Sequence, residues 1–359
     1  MFLVLEVCTP SELVDRLPDA LAGRCSLAPL AFGQTPPEAL CLDEPIGSDI
    51  AAVIVTSGST GTPKGVELSS RALLASADAT RAALGAFTWT CVLPTWYVAG
   101  LMVLVRGYAD REHGCGGVRF ASKDLSDLNP DSSCPNAISI VPTQLERALK
   151  NPQIARSLAR YDRVLVGGAA LRAQTLEAAM GYGIKLTRTY GMSETCGGMV
   201  YDGYPLPGVE VLIEAGRVKL RTPSAFSGYR GMPKLTAEVL DGDVVTTNDR
   251  GELIDGRLRL LGRFDDVVIS GGVNVDLAAA QKAVDEIGAG AVIFGVPDDE
   301  WGTKIWLADE AERSLAWWCE TLAKRLQKAA LPKGLLGGKL PRTASGKVDL
   351  QKLREAANE

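Results

Sequence analysis

Short apolar runs alternate with helix-forming segments through the first half of the chain, and this alternation constrains the fold more than any other feature. Residues 51–56 suit a buried strand, and the segment from Ser69 has a good N-cap residue, helix formers and a closing glycine. Further strand and helix patterns follow at 88–94, 98–107, 137–142, 143–150, 162–168, 171–183 and 184–191. The alternation predicts an open α/β sheet with helices on its faces and a ligand at the carboxyl ends of its strands.

The pattern changes to period two after about residue 205. Residues 209–222 read as a hairpin, and short strands continue to about residue 270, which indicates a small β subdomain. We then expect a small α+β module with a helix at 276–287, strands at 291–296 and near 304–308, a long helix at 311–330 and a last helix after Lys347. The sequence thus predicts a large domain over residues 1–264 and a small one over 265–359, with the boundary at Asp265.

Composition and charge exclude several classes of function. The net charge of −5 gives no electrostatic reason to expect nucleic acid or an anionic membrane as a partner. No apolar segment is long enough to span a bilayer, and the apolar N-terminus lacks the basic flank of a signal peptide, so we expect a cytoplasmic protein. The single histidine, His113, lies in a loop-like stretch, which argues against a Ser-His-Asp hydrolase or a multi-histidine metal site.

The stretch "TSGSTGTPKG" follows the first buried strand and leads toward the helix that Ser69 caps, which predicts a strand–loop–helix connector. It is not a Walker loop, because Thr62 and Pro63 separate Gly61 from Lys64. Its glycines still allow close backbone approach to an oligophosphate, its hydroxyls supply donors, and its lysine supplies a cation. The predicted phosphate-binding residues are Thr56, Ser57, Gly58, Ser59, Thr60, Gly61, Thr62 and Lys64.

Three later stretches add charged side chains that suit nucleotide chemistry. Glu194, in "TYGMSETCGG", stands beside a strand end, where a carboxylate can hold Mg²⁺ that bridges phosphates. Asp249 and Arg263 flank one β hairpin, and Lys347 lies on a glycine-flanked loop near the C-terminus. Each alone is explained as well by a surface turn or an ion pair.

Together and in this order, the four stretches resemble the adenylate-forming superfamily, the acyl- and aryl-CoA synthetases, from about residue 50 onward. The resemblance implies a shortened synthetase-like fold, ATP, Mg²⁺ and coenzyme A as cofactors and cosubstrates, and a carboxylic acid as substrate. It implies catalytic roles for Lys347, Glu194 and Lys64, with Glu194 holding the metal. The further nucleotide-binding residues that it implies are Gly168, Ala169, Tyr190, Gly191, Thr195, Asp249 and Arg263.

The chemistry that the resemblance implies joins two anions. A carboxylate attacks the α-phosphate of ATP and expels pyrophosphate, so cations must neutralise charge that grows in the transition state. The thiol of coenzyme A then displaces AMP. The resemblance also implies that the C-terminal domain is a lid turning about a hinge at Asp265, and that Gly271 and Gly272 line the path of the thiol.

Residues 93–107, "LPTWYVAGLMVLVRG", resemble the o-succinylbenzoate–CoA ligases of menaquinone biosynthesis, with Tyr97 in place of a histidine. The implied substrate-pocket residues are Tyr97, Gly100, Arg106, Met192, Ser193 and Gly198. Arg106 is a candidate to offset the second carboxylate of the substrate, but an ion pair with an acid on the helix surface is the stronger expectation.

Two other functions stay open, a ligase for another acyl or aryl acid and an adenylation enzyme that loads a carrier protein. The segment before the phosphate loop is short, about fifty residues, so we expect a compact variant of the ligase. Homodimer formation also stays open.

Overall fold

The structure is a computed structural model that describes residues 2–57, 63–130, 133–288, 290–343 and 348–358. The chain divides into two compact units. The first comprises residues 1–214, 219–247 and 253–258, and the second comprises 215–218, 248–252 and 259–359. The domain boundary at Asp265 stays a prediction. In the described ranges, no helix is long and apolar enough to cross a bilayer.

The α-helices are α1 (Pro10–Leu21), α2 (Ser70–Leu84), α3 (Val98–Ala109), α4 (Pro142–Leu149), α5 (Pro152–Ala159), α6 (Ala173–Gly181), α7 (Pro233–Val239), α8 (Leu277–Ile287), α9 (Leu315–Leu322) and α10 (Leu350–Asn358). The strands up to residue 205 are β1 (Phe2–Leu3), β2 (Leu5–Cys8), β3 (Ser26–Pro29), β4 (Ile46–Gly47), β5 (Ile50–Ser57), β6 (Pro63–Ser69), β7 (Thr88–Cys91), β8 (Val118–Phe120), β9 (Asn136–Ile140), β10 (Arg163–Val166), β11 (Leu186–Met192), β12 (Gly197–Tyr201) and β13 (Tyr204–Pro205). The later strands are β14 (Glu210–Glu214), β15 (Arg217–Arg221), β16 (Gly228–Tyr229), β17 (Leu240–Asp241), β18 (Val244–Ile254), β19 (Arg257–Arg263), β20 (Val267–Ser270), β21 (Val273–Asp276), β22 (Ala291–Asp298), β23 (Gly302–Asp309) and β24 (Gly334–Gly337).

The largest sheet has seven strands in the order β13-β12-β11-β10-β9-β7-β8. The five strands from β11 to β8 run parallel, and β12 and β13 continue the sheet antiparallel. One face packs against α4, α5 and α6, and the other packs against α2 and α3. This confirms the open α/β sheet, and the parallel register brings the carboxyl ends of β9, β10 and β11 to one edge.

A second sheet, β16-β6-β5-β3-β2, carries the strand before the phosphate loop. Here the predicted strand–loop–helix connector is wrong, because β6 lies between the loop and α2 and pairs antiparallel with β5. The reason is a short period-two pattern in "PKGVELS", in which Val66 and Leu68 are fully buried. The helix itself begins as predicted, with the Ser69 hydroxyl accepting from the backbone N–H of Ala72 and Gly85 at the C-cap.

The second unit contains the sheet β21-β20-β23-β22, with β24 beside β23. Helices α8 and α9 pack through one core cluster, and α10 packs through another. The predicted helix over 311–330 is wrong, since α9 covers only Leu315–Leu322 and a 3₁₀ turn follows at Lys328–Ala330. Ser314 sets the later start, because its hydroxyl caps the helix by accepting from the N–H of Trp317.

Candidate active site

The ends of the phosphate loop are held by a hairpin. Thr56 pairs with Lys64, and Ser57 pairs with Pro63, so β5 and β6 enter and leave the loop side by side. The predicted phosphate-binding residues Gly58, Ser59, Thr60, Gly61 and Thr62 lie outside the described residues. Of the predicted phosphate-binding residues, Lys64 is therefore the one whose side-chain contact carries the description of the site.

Lys64, Tyr229 and Glu194 form a contiguous group. The Lys64 ammonium lies 5.1 Å from the centre of the Tyr229 ring, within the range of a cation–π contact. The Tyr229 hydroxyl donates a 2.6 Å hydrogen bond to Oε1 of Glu194. Burial, together with the negative charge of Glu194, raises the pKa of Tyr229, so the hydroxyl stays a proton donor. The structure thus brings together the predicted cation and the predicted metal-binding carboxylate.

Thr195 has a different surrounding from the one that the sequence predicts. Its side chain is fully buried, and its Oγ1 accepts from the N–H of Met192 at 3.0 Å and donates to the carbonyl of Gly197 at 2.8 Å. This hydroxyl holds the turn around Glu194, and the place of Thr195 at the α-phosphate stays a prediction. Ser193, half-buried and directly before Glu194, is the other hydroxyl of this turn.

The predicted adenine-side residues lie at the carboxyl edge of the parallel sheet. Gly168 and Ala169 follow β10 and are exposed, and Tyr190 and Gly191 stand near the end of neighbouring β11. A register shift between Tyr190 and Gly191 marks a bulge in the pairing with β12. A Cβ atom at Gly191 would lie 1.9 Å from the carbonyl oxygen of Gly197, so only glycine fits there.

Two predicted pocket residues stand at the start of α3. Tyr97 is the N-cap residue and is half-buried, with its ring 6.0 Å from that of Trp96. Gly100 is buried against the preceding loop, where a Cβ atom would lie 2.2 Å from the carbonyl oxygen of Pro94. The loop that carries Tyr97 is therefore packed tightly onto the first turn of α3.

Arg106 is buried, with 5% of its surface exposed. Its guanidinium lies 5.2 Å from the centre of the Trp89 ring, and its Nε has no hydrogen-bond partner among the residues that the structure describes. The acid one turn further along the chain, Asp110, points elsewhere and accepts from Trp89 Nε1 and from the N–H of Phe87. The expected ion pair on the helix surface is therefore wrong, because Arg106 is inside and the neighbouring carboxylate is occupied.

The loop from Met192 to Gly198 lies beside this buried cation. Gly197 has a φ of +91°, and a Cβ atom there would lie 3.9 Å from Arg106 Nη2. The predicted pocket residues Met192, Ser193 and Gly198 are all partly exposed on this loop. One segment of about seven residues thus carries the metal-binding candidate and borders the buried guanidinium of Arg106.

In the second unit, Arg263 joins the two predicted acids. Its Nε and Nη2 donate to the two carboxylate oxygens of Asp265 at 2.8 and 2.9 Å, and its Nη1 donates to Asp249 Oδ1 at 3.3 Å. Burial works against ionisation of Asp265, but the hydrogen bonds from Arg263 hold the pKa of Asp265 below its usual value. The predicted ribose-binding pair and the predicted hinge residue are therefore one ionic group.

Gly271 and Gly272 form the turn between β20 and β21, with φ values of +57° and +77°. Both are exposed, and a Cβ atom at Gly271 would lie 2.9 Å from two ring carbons of Trp301. Glycine is therefore needed here both for backbone conformation and for the close approach of the indole. Lys347, the predicted catalytic lysine, lies outside the described residues.

Sequence reasoning missed Tyr229, Trp89 and Asp110. Tyr229 lies 35 positions from Glu194, and Trp89 lies 21 positions from Asp110. Both contacts join different elements, so no local spacing predicts them. The one available sequence signal was Asp110, an acidic residue directly after a strongly apolar helix. A carboxylate buried at such a position needs a hydrogen-bond partner.

Comparisons with known proteins give the family context. Residues 14–256 match the model of the family described as AMP-binding enzyme. The chain is 35% identical to the probable 2-succinylbenzoate–CoA ligase of Mycobacterium tuberculosis, over 87% of this chain and 85% of that protein. It is 31% identical to the 2-succinylbenzoate–CoA ligase of Escherichia coli, over 85% of this chain and 69% of that protein.

Solved structures share the fold. A variant of E. coli MenE with bound OSB-AMS superposes with a TM-score of 0.80 at 24% identity, over 99% of this chain and 88% of that chain. The amide bond synthetase McbA from Marinactinospora thermotolerans superposes with a TM-score of 0.75 at 26% identity, over 99% of this chain and 80% of that chain. The synthetase-like fold that the sequence predicts is therefore confirmed.

Proposed function

The chain belongs to the family of AMP-binding enzymes, and from this membership we propose that it converts o-succinylbenzoate to o-succinylbenzoyl-CoA. ATP first activates one carboxylate as an acyl-adenylate with release of pyrophosphate, and coenzyme A then displaces AMP. The curated relatives that carry this activity in their names support the choice of acid. Their agreement does not favour another acyl or aryl acid, or a carrier protein, as the acceptor.

The buried cation of Arg106 is the observation that carries the proposal. A buried guanidinium without a carboxylate partner is costly, and an arriving anion removes that cost. An acid with a single carboxylate presents no remaining charge once that carboxylate is activated. A dicarboxylate such as o-succinylbenzoate keeps one carboxylate for Arg106 and offers the other to ATP.

The first half-reaction needs positive charge where two anions meet. Lys64 supplies one cation at the end of the phosphate loop, and Tyr229 keeps Glu194 close to it. We assign a second mobile cation to Lys347 and the phosphate-side hydroxyl of the turn to Ser193. Such preorganised charge lowers the barrier because it is already in place when charge develops in the transition state.

Glu194 also fits a magnesium ion. Carboxylate oxygens are the ligands that Mg²⁺ prefers, and one carboxylate with substrate phosphates is a common binding mode. Tyr229 donates to Oε1 of Glu194, which orients the partly exposed carboxylate. Bound there, the ion would offset the negative charge of the ATP phosphates.

The second unit supplies the remaining roles in the proposal. Asp249 and Arg263 hold the ribose hydroxyls, with Arg263 fixing the position of Asp249. Asp265 is the hinge, and Gly271 and Gly272 line the entry of the coenzyme A thiol. A Cβ atom at Gly271 would meet the Trp301 ring.

A panel of carboxylic acids in one AMP-release assay tests the proposal. With ATP, Mg²⁺ and coenzyme A present, we expect o-succinylbenzoate to give a kcat/KM at least tenfold above benzoate, 3-benzoylpropionate and medium-chain fatty acids. Arg106→Leu should remove this preference mainly through a higher KM for the dicarboxylate. A benzoate or fatty acid that outperforms o-succinylbenzoate would refute the assignment of the acid.

A further inference from the structure

We propose that Trp89 and Asp110 are positioning residues that aim the Arg106 guanidinium at the substrate's second carboxylate and so set selectivity for dicarboxylic acids. The inference rests on the proposed function, because it deals with the same acid pocket. In the contacts described above neither residue touches Lys64, Tyr229 or Glu194, so their effect is expected on acid selection and not on ATP.

Trp89 is held in one orientation. It is fully buried on β7, and its indole N–H donates a 3.0 Å hydrogen bond to Asp110 Oδ2. The same carboxylate oxygen accepts the backbone N–H of Phe87 at 3.1 Å. The carboxylate therefore accepts hydrogen bonds from Trp89 in β7 and from Phe87 just before β7. The indole plane has little freedom to turn.

The fixed indole is the neighbour that orients Arg106. The guanidinium carbon lies 5.2 Å from the ring centre, within the distance at which a ring face attracts a cation. Because Nε of Arg106 has no hydrogen-bond partner in the described part of the chain, the ring face takes the place of the carboxylate or carbonyl that usually holds a buried arginine. An acceptor there would satisfy the cation, whereas a ring leaves its donors available to a ligand.

In the described contacts Asp110 makes no ion pair with Arg106, although the two residues are four positions apart at the end of α3. Asp110 is buried, its Oδ2 accepts from the N–H groups of Phe87 and Trp89, and its Oδ1 lies 3.8 Å from Arg81 Nη1. Arg81 therefore offsets the negative charge of Asp110. Among the described residues no carboxylate pairs with Arg106, whose Nη2 would lie 3.9 Å from a Cβ atom at Gly197.

The test compares Trp89→Leu, Trp89→Phe and Asp110→Leu with the wild type on three acids. The acids are o-succinylbenzoate and its two analogues that each lack one carboxylate, 3-benzoylpropionate and 2-butanoylbenzoate. For Trp89→Leu we expect a roughly tenfold higher KM for the dicarboxylate, with the KM for ATP and the KM of the accepted mono-acid unchanged. Trp89→Phe and Asp110→Leu should move the same KM in the same direction by a smaller factor.

Tyr161→Leu is the matched control, because Tyr161 is also a fully buried aromatic residue that packs on the seven-stranded sheet. We expect this variant to lose thermal stability while its ratio of kcat/KM between dicarboxylate and mono-acid stays at the wild-type value. Trp89→Phe keeps a buried ring and serves as the test should Trp89→Leu fail to fold.

The outcomes separate the inference from the proposed function. A wild type that prefers o-succinylbenzoate, with Trp89 variants that keep the same preference, overturns the inference and leaves the proposed function intact. Equal losses on the dicarboxylate and the mono-acid also overturn it, since they show a general packing defect. A wild type that ignores o-succinylbenzoate refutes the proposed function itself, and the inference with it.

Discussion

The hydroxyl of Tyr229, a residue outside the sequence motifs, contacts the predicted metal-binding carboxylate of Glu194. Tyr229 donates to Glu194 at 2.6 Å and lies under the Lys64 ammonium. Tyr229→Phe removes the hydrogen bond and keeps the ring, so we expect adenylation to slow by roughly tenfold, the effect of losing a hydrogen bond to a charged group. ATP–pyrophosphate exchange at a series of Mg²⁺ concentrations measures this, and the half-saturating Mg²⁺ concentration should rise.

Tyr201→Phe is the control for the tyrosine variant. Tyr201 is also buried, and its hydroxyl lies 3.0 Å from Thr80 Oγ1. Tyr201→Phe therefore removes the same kind of hydroxyl at a position where it contacts Thr80 and not Glu194. We expect exchange activity and Mg²⁺ dependence to match the wild type. Similar losses in both variants would contradict a specific role for the Tyr229 hydroxyl.

Gly191 gives a second prediction for one residue. Because a Cβ atom there would lie 1.9 Å from a backbone carbonyl, Gly191→Ala must push β12 away from β11 and displace Glu194. We expect at least a 100-fold loss of exchange activity and a lower melting temperature. Gly181→Ala is the matched control. Gly181 ends α6, and a Cβ atom there would have no neighbouring atom within 4 Å, so this variant should leave both measurements unchanged.

The motifs predicted the charged residues of the candidate site, but not the residue that joins them. Lys64 and Glu194 both contact Tyr229, Lys64 through its ammonium and Glu194 through Oε1. Their link through Tyr229 depends on β16 pairing with β6, a contact across more than 150 positions. Thr195 has a further contact that its motif does not predict, since its hydroxyl donates to the carbonyl of Gly197 within its own turn.

At the scale of elements, hydrophobic period and caps predicted most of the first unit. Strand β5, helix α2 and the β9–α4 and β10–α6 pairs appear where the pattern places them. Strand β6 was not predicted, because its seven residues begin with Pro, Lys and Gly, which are typical of a loop. Burial against β5, rather than local propensity, makes this segment a strand.

The junction of β23 and α9 gives an element-scale prediction. The Asp309 side chain is fully buried at the end of β23 and accepts from Arg313 Nε and Nη2 and from Trp318 Nε1, at 2.9 to 3.0 Å. Burial alone would raise the pKa of Asp309, but these hydrogen bonds lower it to about 2. The carboxylate therefore anchors α9 to the sheet of the second unit.

Because the folded pKa is below the unfolded value of 3.8, this anchor stabilises the fold fully above pH 3.8 and loses its contribution as the pH falls toward 2. We expect Asp309→Asn to lower the free energy of unfolding by about 2 kcal/mol at pH 7, and the difference from wild type to fall to about half by pH 3. Urea unfolding at both pH values measures this. Glu312→Gln, an exposed charge change three residues away, should show neither effect; a constant difference for Asp309→Asn at both pH values would contradict the assigned cause.

At the scale of the whole molecule, the proposed lid would bring one cation to the first half-reaction and remove it for the second. The nucleotide carries its own negative charge, and the chain adds a formal charge of −5, so adenylation depends on cations placed locally and not on the overall field of the protein. In the proposed mechanism that cation is Lys347, which lies far from the predicted phosphate loop in the sequence. We therefore expect Lys347 to matter for adenylation alone.

Lys347→Ala should reduce o-succinylbenzoate-dependent ATP–pyrophosphate exchange by on the order of 100- to 1000-fold, the usual effect of removing one preorganised charge. The same variant should convert a preformed o-succinylbenzoyl-adenylate and coenzyme A to the thioester at close to the wild-type rate, because thiol attack releases AMP without that cation. Lys339→Ala, an exposed lysine eight residues earlier, should leave both half-reactions unchanged. Equal losses in the two half-reactions of Lys347→Ala would show that the second unit acts as one fixed part of the site, and a lid that serves each step in a different position would then have to be abandoned.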